Sequence, residues 1–263
     1  MHVWQRGDTL LREERKRKIS RFVVENKKAT VTELSELFGV SESTIRRDLE
    51  ELDEQGVIQR AHGGAVVVER AAPEPPIIQR MVENEEAKRS IGQAAAELVR
   101  DGETVFLGSG TTTLEVARNL MGRNNLTVIT NALNIANLFA GKPNITVIVV
   151  GGLLRHSELS MIGHITEQVL KELRADKVIM GMRAISIEEG LTNDYLPETM
   201  TDRTIIQFAP EVILVADHSK FGKVSTALVA PITSINKIIT DSGVPAEIID
   251  EIKALGVEVI IAS

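Results

Sequence analysis

Three prolines fall within the four residues from Pro73 to Pro76, and no helix interior or central strand can pass through such a stretch. Ala71-Ala-Pro-Glu-Pro-Pro76 therefore reads as an extended, fairly stiff connector. The hydrophobic pattern changes across it, which predicts a small domain over residues 1–70, a linker over 71–82 and a larger domain over 83–263. The chain has no cysteine, so neither a disulfide framework nor thiolate chemistry is available. Its start lacks a signal-like pattern and no apolar run is suited to spanning a bilayer, so the expectation is a cytoplasmic protein with no membrane partner.

Before the linker, Ser41 can cap a helix in which Ile45, Leu49 and Leu52 share one face. Ser43, Arg47 and Glu50 point the other way, with Thr44 and Arg46 on the flanks. Hydroxyls and guanidiniums on an outward helix face bond phosphates and base edges. Thr30 and Glu33 have capping-box spacing, followed by a short helix with Leu34, Leu37 and Phe38 apolar, which stops at Gly39. An earlier helix carries Ile19, Phe22 and Val23, and 56–60 with 62–68 reads as two strands of a wing. Three helices and a wing predict a winged helix-turn-helix that contacts double-stranded DNA through Arg15, Ser41, Ser43, Thr44, Arg46, Arg47, Arg60 and His62. Asp48 lies toward the edge of the buried stripe and reads as an ion-pair or capping residue that orients the arginines.

A net charge of −7 at first opposes DNA binding, because affinity for duplex comes largely from phosphate neutralisation. Residues 1–70, however, hold 13 Lys/Arg and 13 Asp/Glu, so all of the net negative charge lies beyond them. Within 12–21, six basic side chains face two acidic ones, an excess that could lie along the DNA backbone.

From residue 83 onward, apolar runs alternate with amphipathic stretches. The runs 104–107, 126–130, 145–150, 177–180, 212–216, 238–240 and 257–261 read as buried strands. Helices are predicted over 87–99, 112–121, 132–140, 163–173, 198–208 and 246–254, giving an α/β domain with a mainly parallel sheet. Ligands of such sheets gather at the carboxyl ends of the strands. There the sequence has Gly108-Ser-Gly-Thr-Thr-Thr113, whose glycines, hydroxyls and helix N-terminus suit a phosphate. Thr130-Asn131, Gly151-Gly152, Gly181-Met-Arg183 and Asp217-His-Ser-Lys220-Phe-Gly222 follow. Lys220 is placed either to reach an anion held by the first loop or to pair with a surface carboxylate.

Arg15, Ile19, Val23, Ser41, Thr44, Ile45, Arg46, Arg47, Asp48 and Leu49 resemble, in type and spacing, the N-terminal signature of the DeoR family of bacterial transcription regulators. The loops just named, with Ser160 to Gly163 and Gly190-Leu-Thr192, are similar to that family's C-terminal sensor domain. The resemblance implies a fold like ribose phosphate isomerase, a homo-oligomer (dimer or tetramer) and a phosphorylated sugar or related metabolite as effector. It implies repression of carbohydrate metabolism genes. Ser109, Gly110, Thr111, Thr112 and Lys220 would hold phosphate, with Asn131, Gly152, Arg183, Asp194 and Asp217 toward the rest of the ligand. The chain departs from the family at Gly108, commonly Asp, and at Arg183, commonly a small residue, whose guanidinium could answer a second anionic group. Tyr195 is either a mobile residue at the pocket mouth or a packed anchor. An isomerase-like enzyme fused to a DNA-binding domain is the alternative. It is disfavoured because Asp194 and Asp217 form no acidic cluster like the isomerase catalytic loop. The five histidines lack ligand spacing, so neither a metal nor another cofactor is expected.

Overall fold

A computed structural model describes residues 12–26, 28–54, 58–61, 63–66, 69–71 and 74–263. The chain divides into two compact units, Met1–Glu69 and Arg70–Ser263.

In the first unit, α1 (Arg12–Asn26), α2 (Val31–Phe38) and α3 (Glu42–Glu54) enclose a core of Ile19, Val23, Val31, Leu34, Ile45, Leu49, Leu52 and Ile58. The capping box at α2 forms as its spacing requires: the Glu33 N–H donates to Thr30 Oγ1 at 3.2 Å, and the Thr30 N–H donates to Glu33 Oε2 at 2.8 Å. Ser41 Oγ accepts from the Thr44 N–H at 3.3 Å and so caps α3. The wing strands β2 (Gln59–Ala61) and β3 (Gly64–Val66) pair antiparallel. A strand absent from the sequence reading, β1 (Lys28–Thr30), pairs with the other edge of β3. Because the helix begins at Val31, the buried face is Val31 and Leu34, and Leu37 is exposed rather than packed as its periodicity suggested.

After the two-residue strand β4 (Glu69–Arg70), the second unit opens with α4 (Ile77–Arg80) and α5 (Glu85–Glu97). Alternation then runs β5 (Thr104–Leu107), α6 (Thr111–Leu120), β6 (Leu126–Thr130), α7 (Leu133–Phe139) and β7 (Ile145–Val149). A hairpin of β8 (Leu153–Arg155) and β9 (Ser160–Ile162) precedes α8 (His164–Glu172) and β10 (Lys177–Met180). Next come β11 (Ala184–Ser186), β12 (Gly190–Asn193), α9 (Leu196–Ile206), β13 (Glu211–Val215), β14 (Lys223–Val224) and β15 (Ala227–Ala230). The chain ends with β16 (Lys237–Asp241), α10 (Ala246–Ala254) and β17 (Glu258–Ala262).

Seven of these strands form one parallel sheet in the order β17-β16-β13-β10-β5-β6-β7. Alternate residues feed two apolar layers: Phe106, Ile129, Val178 and Leu214 on one face, Leu107, Val128, Ile179 and Ile213 on the other. Burial on both faces explains why these strands read as unbroken apolar runs. Chain order reverses at β5, which lies between β6 and β10, so the crevice past the ends of β5 and β10 is the topological switch point.

Two features depart from the expected layout. The segment read as linker through residue 82 turns helical at α4, because Ile77 is fully buried and Arg80 finds buried partners. The β8–β9 hairpin and the small antiparallel sheet β11-β12-β15 lie where loops and α/β alternation were read. Their strands are only three or four residues long, too short for period-2 alternation to stand out.

Candidate functional site

In the first unit, α3 turns Ile45, Asp48, Leu49 and Leu52 inward and leaves Ser41, Ser43, Arg46 and Arg47 exposed. Arg46 pairs loosely with Glu42 at 2.8 Å, one turn back on the same helix, and Arg47 has no ion pair among the described residues. Arg60 on β2 is exposed and 3.3 Å from Glu50. Thr44 is half-buried, its hydroxyl 2.9 Å from that of Ser41. His62 lies outside the described residues. Arg15 corrects the sequence reading: it is buried and grips Asp48, so it joins α1 to α3 rather than facing a groove. Asp48 is thus the expected ion-pair residue, but its partner is Arg15 and not Arg46 or Arg47. Lys16 is likewise buried and spent on Glu13 at 2.6 Å and Glu51 at 3.0 Å, so part of the basic run is internal.

In the second unit a cleft opens at the switch point. It is lined by Gly108 to Thr112 after β5, Asn131 after β6, Gly181 to Arg183 after β10, Ala216 and Lys220 after β13, and by Glu74, Arg80, Glu158, Glu198 and Asp202. Gly110 adopts φ 144°, a conformation that L side chains rarely take, and it starts α6 with no side chain capping the helix. The first turn of α6 thus begins without a side-chain cap in a loop that lines the cleft, where the helix dipole favours an anion. Asn131 is almost fully buried; its Nδ2 donates to the Met161 carbonyl at 3.1 Å, while its Oδ1 has no partner. An orphaned acceptor in a polar cleft suits a ligand hydroxyl.

The cationic side of the cleft is occupied from within. Glu74 Oε1 lies 2.6 Å from Lys220 Nζ, 3.0 Å from Arg80 Nη1 and 3.4 Å from Arg183 Nη1. Burial pushes the Glu74 carboxyl up, but Lys220, Arg80 and Arg183 outweigh it and hold the group below the usual carboxylate range. Arg80 also pairs with Glu158. The acidic side comprises Glu158, Glu198 and Asp202. Burial, with the charges of Glu198 and Glu74 added, pushes Glu158 up to about 7 against the pull of Arg80. Burial likewise raises Glu198, and burial with the neighbouring Glu198 charge raises Asp202 well above its usual value. Glu198 is met by Arg155 and by Ser160 Oγ at 3.1 Å, and Asp202 by Asn193 Nδ2 at 2.8 Å.

Of the residues expected from sequence to hold a ligand, Ser109, Gly110, Thr111, Thr112, Asn131, Arg183 and Lys220 line this one cleft, and three others do not. Asp217 is buried; its Oδ1 accepts from the Ser219 N–H and from Asn84 Nδ2, both at 2.9 Å, so it shapes the turn that presents Lys220. Asp194 sits between Arg183 and Arg155 at 3.5 and 3.7 Å. Gly152 makes room for Thr166, whose Oγ1 would lie 2.1 Å from an added Cβ. Tyr195 is exposed and lies under the Arg155 guanidinium, 4.6 Å from ring centroid to Cζ, at the start of α9. Glu74, Arg80, Glu158, Glu198 and Asp202 were not foreseen. Their only signal was charge: Glu74 between prolines, and Arg80 in a segment otherwise read as linker.

Among the described residues no group of three or more His, Cys, Asp or Glu is arranged to hold a metal ion, and no helix is long and apolar enough to cross a membrane.

Residues 15–71 match the DeoR-like helix-turn-helix domain, and residues 83–242 match the DeoR C terminal sensor domain. The chain is 37% identical over 216 residues to the glycerol-3-phosphate regulon repressor of Escherichia coli K12, covering 82% of this chain and 85% of that one. It is 36% identical over 251 residues to the HTH-type transcriptional regulator GlpR of Haloferax volcanii (95% and 98%), and 34% identical over 249 residues to GolR of Listeria innocua (95% and 98%). Ribose 5-phosphate isomerase A of Methanocaldococcus jannaschii aligns at a TM-score of 0.40 and 19% identity, over 53% of this chain and 55% of that one, a likeness too distant to build on. With both of its domains matched and relatives alike over most of their length, the chain belongs to the DeoR family of DNA-binding transcriptional regulators.

Proposed function

We propose that this protein is a cytoplasmic, homo-oligomeric repressor of carbohydrate metabolism genes, gated by a phosphorylated sugar or related metabolite. The observation that carries the reading is the switch-point cleft, where an uncapped helix N-terminus and the Gly108–Thr112 loop face the same space as Lys220, Arg80 and Arg183. Backbone N–H groups with guanidinium and ammonium donors suit a phosphate, and Asn131 Oδ1 offers an acceptor to a hydroxyl on the same molecule. Arg46 and Arg47 on α3, with Arg60 on the wing, would contact operator DNA. Paired recognition helices would read half-sites about 34 Å apart or a multiple of it. The name of one relative, a glycerol-3-phosphate regulon repressor, agrees with a small phosphorylated polyol as the type of effector.

The test is thermal stability of the purified protein against sugar phosphates and polyol phosphates, each paired with its unphosphorylated counterpart. A ligand at about 100 times its dissociation constant adds about 2.7 kcal/mol, an easily measured shift. Stabilisation by a phosphorylated compound and not by its parent is the expected result. Equal response to both, or to neither, would remove phosphate recognition from the reading.

A further inference from the structure

We infer that Glu74 is a built-in occupant of the effector's anion seat, and that an incoming anionic group takes its place among Arg80, Arg183 and Lys220 and loosens the connector around Glu74. This rests on the sugar-phosphate reading above and adds to it the event that ligand binding produces.

One carboxylate oxygen of Glu74 meets three cationic donors, at 2.6, 3.0 and 3.4 Å. Donors converging in this way are what a phosphate oxygen calls for, since charge-assisted bonds from guanidinium and ammonium groups are its strongest protein contacts. The space left in the cleft is ≈ 70 Å³. Small-molecule sites ordinarily offer about 300–1,000 Å³, so the departure of a lining group such as Glu74 would widen the seat toward that range. The sheet-end loops that line the cleft are fixed by the strands and helices they join. Glu74 sits between Ala71, whose N–H donates to the Val224 carbonyl at 2.9 Å, and Ile77, whose N–H donates to the Ser157 carbonyl at 2.8 Å. Between these two ties Pro75 and Pro76 have no N–H to bond to the domain, and Arg80 Nε donates to the Pro75 carbonyl at 2.8 Å. Arg80 thus holds both the Glu74 carboxylate and the Pro75 carbonyl, so when it turns to a ligand anion together with Lys220 and Arg183, both groups lose these partners.

The exchange keeps the charges matched. Lys220, Arg80 and Arg183 trade one anion for another, and the Glu74 carboxylate passes to water, where it is well solvated. In sequence Glu74 lies in the connector between the two units, so displacing it alters the segment that joins them. A resident competitor also lowers apparent affinity by the fraction of time that it fills the seat.

The experiment uses the full chain and inorganic phosphate as probe. Hydrogen exchange by mass spectrometry, with and without saturating phosphate, should show slower exchange in 108–114 and faster exchange in 69–79. Calorimetric titration should show Glu74→Gln binding phosphate about tenfold more tightly than the unaltered protein. Slower exchange at 108–114 with no rise at 69–79 overturns the inference and leaves the sugar-phosphate reading standing. So does a Glu74→Gln affinity no tighter than that of the unaltered protein. No effect of phosphate on 108–114 in either protein overturns both. The exchange measurement on the unaltered chain decides the matter by itself if the variant does not fold.

Discussion

Arg15 grips Asp48 in two places, Nε to Oδ2 at 2.6 Å and Nη2 to Oδ1 at 3.1 Å, and both side chains are turned from water. The pair ties α1 to the recognition helix α3. Removing one partner of a buried pair leaves the other charge uncompensated, at a cost of about 3–5 kcal/mol. Arg15→Ala should therefore lower the unfolding free energy of the N-terminal unit by that amount in denaturant titration. Replacing both residues with apolar ones, Arg15→Met with Asp48→Leu, should recover most of it and retain DNA binding. A double variant that folds but no longer binds DNA would make Arg15 a DNA-contacting residue after all.

Arg46 and Arg47 present the opposite case. Both are exposed, and the ion-pair partner that Arg46 has among the described residues is a solvent-exposed glutamate worth little to stability. Replacing both with Ala should leave unfolding within about 0.5 kcal/mol of the parent. It should abolish binding to duplexes selected by the parent protein from a random pool, while ligand-induced thermal shifts persist. Single replacements should flatten the logarithmic salt dependence of binding by about 0.9 for each phosphate that the variant no longer neutralises. Unchanged affinity in the double variant would remove α3 from the DNA interface.

What the sequence disclosed follows from where the information was local. The seven parallel strands fell within a residue or so of the apolar runs, because burial on both faces leaves a continuous signal. The capping box at Thr30 and Glu33 and the stripe of Ile45, Leu49 and Leu52 were equally legible, each being a contact between near neighbours. Arg15 was misplaced because its partner is 33 residues away, and a basic residue bound for a buried carboxylate looks like one bound for phosphate. Glu74, Arg80 and Glu158 escaped notice for the same reason: Arg80 and Glu158 are 78 residues apart, and only the fold brings them to one cleft. Ser109 to Thr112 were readable because a glycine-rich turn between a strand and a helix states its own geometry.

Lys220 reaches the cleft from a 3-10 turn capped by Asp217, whose Oδ1 accepts the Ser219 N–H at 2.9 Å. If it makes a charge-assisted bond to a phosphate oxygen, Lys220→Ala should weaken a phosphorylated ligand by about 1.5–3 kcal/mol. Binding of the unphosphorylated parent, where measurable, should not change. Calorimetry with the pair of ligands separates these, and an unaltered constant for the phosphorylated one would place the phosphate elsewhere.

Glu158 makes the protein's stability depend on pH in a definite direction. Its carboxyl is raised from 4.5 to about 7, chiefly by burial, so the folded state keeps a proton that the unfolded chain releases. The contribution is complete below the unfolded value, falls as pH rises from about 4.5 to 7, and is flat beyond. At about 1.4 kcal/mol per pH unit the loss cannot exceed roughly 3.5 kcal/mol. Glu158→Gln should remove that fall, so chemical denaturation of parent and variant should converge at low pH and diverge, with the parent the less stable, above about pH 7. Parallel curves would mean that Glu158 titrates normally, its charge sustained by Arg80.

Gly152 offers the sharpest separation of a packing role from a binding one. Its φ is 144°, and an added Cβ would lie 2.1 Å from Thr166 Oγ1 and 2.8 Å from the Ile162 carbonyl oxygen. Thr166 is fully buried and its hydroxyl donates to the Gly151 carbonyl at 2.6 Å, so it has nowhere to retreat. Both the backbone conformation and the contact oppose any side chain. Gly152→Ala should therefore cost about 2–4 kcal/mol of unfolding free energy, combining strain with overpacking. Thr166→Ala in the same chain should recover part of that by vacating the contact. The Gly152→Ala protein that remains folded should bind phosphorylated ligand with unchanged affinity, because this glycine does not line the cleft. A folded Gly152→Ala variant of normal stability that no longer binds ligand would instead put the residue in the binding site.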